Sequence, residues 1–345
     1  MVKKIRLEFP DRLKGLAVLF MIQVHLMELF TKEAIFNSAL GRVSLFLGGI
    51  PAAPVFMVVM GYFLAFGKKN PQAMAIRGIR LFLGGILLNI GLNAHLLYKI
   101  IFDAWQINPW NYILGVDILP LAGLSLLALA LIQKLAENRF WMYFGLAIAV
   151  ALLSNLFSPL QFENHSLSYL LAFFVGGTTW SYFPLIPWLS FPLLGYGFKL
   201  ASDQLDFESI MKSIWIKIGL FAIVVILLLS SGFGIQNSTN LTEYYHFNFL
   251  YFTWSIGFIL VWTYLLYLLI KLAKNTLFFI YLQFLGKNVT VIYVIQWLLI
   301  GNIATAIYKT QDTGAWIFWF LNISIISSVL TYLWTKYRTK KSNQI

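Results

Sequence analysis

The residue best placed to do chemistry is His25. It stands inside an apolar run, 13–31, and lies 12 residues past Leu13, about 18 Å along a helix at ~1.5 Å per residue. Glu28 follows three residues later, on the same helical face. A carboxylate there can orient an imidazole and raise its basicity, which is the arrangement of a general base. The plainer alternative is that Glu28 reaches out to headgroups and His25 is a satisfied interior histidine. His95 and Asp117 are the next acid–base candidates. Asn89, Asn93, Trp188 and Gln296 could hold a polar substrate. All six are expected in the outer half or the middle of their helices. Asn and Gln also commonly just tie membrane helices together, and that reading stays open for each. His165 and His246 fall in expected outer loops and carry little weight.

These side chains matter because of what surrounds them. Of 345 residues, 60% are hydrophobic, 17% aromatic and only 11% charged. Soluble domains carry about 25% charged residues, and a soluble chain could not hide this much apolar surface. Lipid is the expected solvent. An ionisable or amide group within a span is then costly, and faces a bundle interior or a wet cavity.

A span needs about 20 mostly apolar residues. Ten windows qualify: 13–31, 45–66, 76–98, 112–133, 140–158, 183–201, 214–231, 249–270, 286–305 and 316–335. The shorter stretch 167–180, with Gly176 and Gly177, suits a re-entrant or interfacial segment better than an eleventh span. The run after Lys3, Lys4 and Arg6 is long for a signal core and is taken as a retained span. The expected fold is all-α, a polytopic membrane protein of about ten transmembrane helices. Residues 1–345 form a single domain with no soluble module.

Charge distribution supports that layout. With the N-terminus inside, 21 of the 25 Lys and Arg residues fall in inner segments, leaving Lys32, Arg42, Lys99 and Lys309 outside. That is a strong positive-inside bias, with both termini cytoplasmic. The net charge of +12 is thereby a topology signal and does not indicate nucleic acid. Lys14, Arg77, Arg80 and Lys287 sit at inner helix ends, where they could receive phosphates of an anionic cofactor. Each could equally serve lipid headgroups. With no cysteine, disulfides, thiolate metal sites and a Cys nucleophile are excluded, and no metal is expected. No Walker loop, GxGxxG, HExxH or GxSxG occurs, which argues against an NTPase, a dehydrogenase, a zinc protease and a serine hydrolase.

Several strings line up in order over about 300 residues. Asp11-Arg12-Leu13-Lys14-Gly15-Leu16-Ala17 with Met21 to His25 resembles the "D-x-x-R-G-L-A … M-x-x-x-H" opening of membrane acyltransferases. Ala53-Pro54-Val55-Phe56 with Gly61, Arg77-Gly78 with Arg80-Leu81, and Phe183-Pro184-Leu185-Ile186-Pro187-Trp188 with Gly195-Tyr196-Gly197 continue the likeness, as does Leu285-Gly286-Lys287-Asn288 with Tyr293. The set is similar to the heparan-α-glucosaminide N-acetyltransferase catalytic-domain family. That resemblance implies transfer of an acetyl group from cytoplasmic acetyl-CoA to a sugar amine or hydroxyl on the far side, with membrane lipids and a glycan or glycolipid acceptor as partners. It also implies that His25 serves the chemistry. Lys14 replaces the motif's arginine, Val24 stands where Asp is frequent, and Gln296, which cannot be a general base, takes the place of a frequent histidine. Two other classes fit the span count: a secondary transporter, and an inactive relative that binds lipid or glycan.

Overall fold

A computed structural model describes residues 8–67, 70–103, 105–157, 165–274 and 276–342. Lys3, Lys4, Arg6, Lys68 and Lys69 of the charge argument lie outside the described residues, as does 158–164. The described residues are helical without strands. Two isolated backbone bridges, Thr31 with Gln311 and Val116 with Ser181, are the nearest approach to sheet among them.

Helices occupy all ten windows, but not all alike. Among the described residues six are long and apolar enough to cross a membrane: Ala39–Phe66, Pro71–Leu92, Ile118–Ala136, Phe249–Ala273, Val289–Ile307 and Thr313–Lys340. A seventh is added if Ile214–Leu229 and Ser231–Thr239, bent by 63°, form one span. The remaining windows hold Glu8–Leu29, Phe140–Phe157 and Ser190–Gln204. The first of these is 22 residues long but carries Glu8, Asp11, Arg12 and Lys14 in its first two turns. The other two are shorter. Many large apolar side chains on the long helices are exposed, among them Leu83, Leu87, Leu229 and Leu272. Such a surface suits lipid and not water.

Three expected helix ends move. The window 76–98 breaks at Asn93, giving Pro71–Leu92 and Ala94–Phe102, so Asn89 and Asn93 do not share one helical face. The window 112–133 becomes a helix only at Ile118. Asp117 caps it, with Oδ1 accepting from the Ile118 N–H at 2.7 Å, and so lies at the boundary and not a turn inside. The stretch 167–180 is helical only over His165–Ala172. Beyond that the chain turns through Gly176 and Gly177, both at positive φ, where a side chain would be strained. Its backbone is partly satisfied by Val116, whose N–H donates to the Trp180 carbonyl at 2.8 Å and whose carbonyl accepts from Tyr182 and Phe183.

The residues group into two compact units. The first comprises Met1–Ala52, Ile90–Ile107 and Thr263–Ile345. Its centre is Glu8–Leu29, which packs on Leu277–Lys287, Ala39–Gly48, Val289–Ile307 and Thr313–Ser342. The closest pairing is with Leu277–Lys287, through two glycines. A Cβ on Gly15 would strike the Leu282 carbonyl, and one on Gly286 the Asp11 carbonyl. The second unit comprises Ala53–Asn89 and Asn108–Trp262, with Ser190–Gln204 packed on Ala53–Phe66 and Phe140–Phe157.

Candidate active site

His25 is set by its own helix and by one that arrives late in the chain. Its imidazole leans on the Trp297 indole, ring centroids 4.1 Å apart and planes inclined by 37°. The ring is half-buried, as is Glu28 one turn on. Two residues before His25, Gln23 fixes the helix rotationally. Its Nε2 donates to the Ser44 carbonyl at 2.9 Å and to the Phe20 carbonyl at 3.0 Å, and the Ser44 hydroxyl donates back to its Oε1 at 2.5 Å. Trp316 Nε1 donates to the Gln23 carbonyl at 3.2 Å. These bonds anchor the His25 helix to Ala39–Gly48 and Thr313–Ser342, so the imidazole is positioned by a buried network.

Beside His25 the helix Val289–Ile307 presents two adjacent polar side chains with open valences. Gln296 is fully buried, and neither amide atom has a hydrogen-bond partner among the described residues. Trp297 Nε1 is buried and likewise unpartnered. An unmade hydrogen bond at a buried polar atom costs about 1–3 kcal/mol. Trp297 lies against the one histidine deep in a long apolar run, and Gln296 precedes it on the same helix, so the open valences here are ones a polar ligand could fill. Further along in the same unit, Ser324, Ser327 and Thr331 on Thr313–Ser342 also carry buried hydroxyls without partners among the described residues.

His95 is held differently. Its backbone N–H donates to Asn302 Oδ1 at 2.8 Å, and its ring Nδ1 lies 3.0 Å from the Asn302 carbonyl. A carbonyl only accepts, so Nδ1 carries the proton and Nε2 is the lone-pair nitrogen. Asn302 Nδ2 also donates to the Gly91 carbonyl at 2.9 Å, closing the helix break at Asn93. Asn93 itself is half-buried at the start of Ala94–Phe102. Trp297 and Asn302 are five residues apart, about 140° around a helix of 3.6 residues per turn. His25 and His95 therefore touch different sides of Val289–Ile307.

The second unit holds the remaining candidates. Asn89 is buried, with Nδ2 donating to the carbonyls of Ile113 at 3.2 Å and Gly115 at 2.8 Å. Trp188 is 0% exposed, and its Nε1 donates to the Tyr245 carbonyl at 2.8 Å. Arg77 and Arg80, near the start of Pro71–Leu92, are exposed.

The charged end of the first unit is knit together. Lys14 pairs with the buried Asp11 at 2.9 Å, Arg12 with Glu8 at 3.3 Å, and Lys274 with Glu8 at 3.6 Å. Arg12, in the opening motif but not among the candidates the sequence singles out, is 3% exposed, and its Nε has no partner among the described residues. Lys287 is exposed. No cluster of three or more metal-ligating side chains occurs among the described residues. Trp297 and Gln23 were also passed over. An aromatic or a lone amide within a span carries no signal of its role until its neighbours are known.

No curated protein and no solved structure matches the chain. A family model does, the one described as "Acyltransferase domain", over residues 7–336. That is nearly the whole chain, and it takes in every candidate residue above. The apolar helices and this match agree on an integral membrane protein. The chain belongs to the acyltransferase-domain family, and it is a membrane acyltransferase.

Proposed function

We propose that the protein moves an acetyl group from acetyl-CoA, entering from the cytoplasmic side, to a sugar amine or hydroxyl on the extracytoplasmic side, with His25 as general base. The observation that carries this is His25 itself: an imidazole anchored by a buried network, leaning on Trp297, beside unpartnered polar atoms. An acceptor hydroxyl or amine must lose a proton to attack a thioester. The nucleophile attacks the carbonyl carbon, the C–S bond breaks, and CoA leaves as a thiolate. His25 takes the acceptor's proton and delivers it to that thiolate, so nothing is left over. Glu28 orients the ring and keeps its own charge.

The sugar acceptor and the finer family assignment rest on the motif likeness to the heparan-α-glucosaminide N-acetyltransferase catalytic domain. Ten crossings with both termini inside rest on the placement of 21 of the 25 basic residues. Lys14, Lys287, Arg77 and Arg80, taken singly, are the cations offered to donor phosphates. Family membership favours this enzyme over a transporter of similar span number.

The test uses sealed inside-out vesicles given labelled acetyl-CoA from outside and an amino-sugar acceptor within. Wild-type protein transfers label. His25→Ala keeps its protein level and its CoA binding, and loses about 10²-fold or more of the rate. Glu28→Gln loses less. A wild-type rate in His25→Ala, with loss in His95→Ala or Asp117→Asn, moves the chemistry elsewhere. Transfer only when acetyl-CoA is on the other face overturns the orientation.

A further inference from the structure

We infer that Gln296 and Trp297 form the oxyanion site of the reaction, receiving the thioester carbonyl oxygen on Gln296 Nε2–H and Trp297 Nε1–H. The inference rests on the proposed acyl transfer and adds two catalytic residues to it. Four observations support it. Both donors belong to consecutive residues of one helix, Val289–Ile307, about 100° apart around its axis, a divergence that side chains as long as Gln and Trp can close. Both donor atoms are shielded from solvent and have no acceptor among the described residues. One donor's ring lies against His25, centroids 4.1 Å apart, so an acyl carbon in reach of that donor is also near the base. Finally, the amide makes no helix-tying hydrogen bond among the described residues. Gln23, one helix away, shows how a buried glutamine in this protein is treated when its role is to hold helices: both its amide atoms are engaged. Gln296 has neither engaged.

The chemistry fits those valences. When the acceptor's oxygen or nitrogen bonds to the carbonyl carbon, the carbonyl π electrons move onto oxygen. The new negative charge appears in an interior of low dielectric, where fixed donors act most strongly because they need no reorganisation. Collapse of the tetrahedral species returns those electrons, breaks the C–S bond and releases the thiolate, which takes the proton held by His25. A ground-state carbonyl accepts more weakly than an oxyanion, so both donors favour the transition state over bound substrate. Gln296 Oε1 is left to accept from the incoming hydroxyl or amine.

Two substitutions separate this role from a structural one. Trp297→Phe keeps a ring against His25 and removes only the N–H. Gln296→Leu keeps the volume and removes an unsatisfied buried amide. If the amide had only a packing role, that change would be neutral or stabilising and would leave turnover alone. The experiment measures heat stability, acetyl-CoA affinity, kcat and KM for acetyl transfer, and the infrared carbonyl band of bound ¹³C-acetyl-CoA. Both variants are expected to be as heat-stable as wild type and to bind acetyl-CoA as well. Each loses about 10²–10³-fold in kcat with KM nearly unchanged. The carbonyl band, displaced to lower frequency on the wild-type protein, returns toward its free position in each.

Wild-type kcat in both variants, or an unmoved carbonyl band, overturns the inference and leaves the acyl-transfer reading intact. Loss of activity in step with loss of heat stability also overturns it, since the two groups would then be structural. A wild-type protein that neither binds nor transfers acetyl fails the reading beneath it, and the oxyanion site falls with that reading.

Discussion

Two tryptophans in this protein have opposite surroundings. Trp188 ends the Phe-Pro-Leu-Ile-Pro-Trp string, one of those that carry the family likeness in the sequence. It is enclosed by Phe183, Phe191, Tyr244 and Phe247, with ring centroids 4.7–5.6 Å away, and its N–H is engaged by the Tyr245 carbonyl. Trp297 belongs to no conspicuous string. It leans on an imidazole, and its N–H is shielded from solvent and engaged by nothing described. An indole has a large apolar body and one donor, and where both are satisfied internally it is a rivet. Where the donor remains open beside a base, the same residue has a hydrogen bond left for a ligand. Completeness of hydrogen bonding, more than residue type or motif, separates the two.

The largest effect expected from this contrast is on stability. Trp188→Ala leaves a void among four aromatic rings and strips a donor from the Tyr245 carbonyl. Buried Trp→Ala changes cost about 3–5 kcal/mol. The variant should show low membrane yield and a clearly lowered heat-aggregation midpoint in detergent, before any question of activity arises. Trp297→Phe should show neither. Equal midpoints for Trp188→Ala and wild type would mean that the aromatic cluster is not what fixes Leu185–Trp188, and the contrast would collapse.

The helical class and the lipid setting were legible in the sequence because hydropathy acts locally and additively. Window ends were not. Asn93 and Asp117 each sit in a window that is apolar on average, and averaging conceals them. Yet the helix break at Asn93 is closed by Asn302, more than 200 residues away, and Asp117 ends its helix through one bond to the next N–H. Most of Leu277–Lys287 falls between the windows 249–270 and 286–305, although its glycine-mediated seat on Glu8–Leu29 is the closest helix pairing in the first unit. That contact is made by tertiary fit, which no window reports. Within the site, His25 and Gln296 were legible because an ionisable or amide group in a span is costly. Trp297 was not, since tryptophan is at home in membranes. Asn89 could from sequence hold a substrate or tie helices together, and its Nδ2 donates to the Ile113 and Gly115 carbonyls.

A smaller effect separates the two kinds of cation. Lys14 and Arg12 are paired with Asp11 and Glu8, whereas Arg77 and Arg80 stand exposed. If Arg77 and Arg80 meet donor phosphates, Arg77→Gln with Arg80→Gln should weaken CoA binding. Exposed charge pairs contribute roughly 0.2–1 kcal/mol each, so the loss for two is on the order of two- to thirtyfold. The residual binding should also depend less on salt. An unaltered CoA affinity and salt slope in the double variant, measured by titration in detergent, would return both arginines to the role of topology charges.

The smallest effect probes the Trp188 side of the contrast through pH. His246 follows Leu241–Tyr245, directly after the residue whose carbonyl holds the Trp188 N–H. It is half-buried against Gly176, where a Cβ would strike the imidazole. Burial disfavours the charged ring and pushes its pKa below the usual histidine value of 6.5. Between that lowered value and 6.5, the unfolded chain binds a proton that the folded one does not. Stability therefore rises with pH across this interval. The contribution is fully present above about pH 6.5 and is lost as pH falls through the folded pKa. Wild-type protein should lose heat stability on acidification from pH 7.5 to 5, and His246→Asn should lose less over the same range. Carboxylates titrate in both proteins, so the difference in slope isolates the imidazole. If the slopes coincide, the ring can be charged in place without disturbing the turn, and the clasp on Trp188 does not depend on keeping its neighbour neutral.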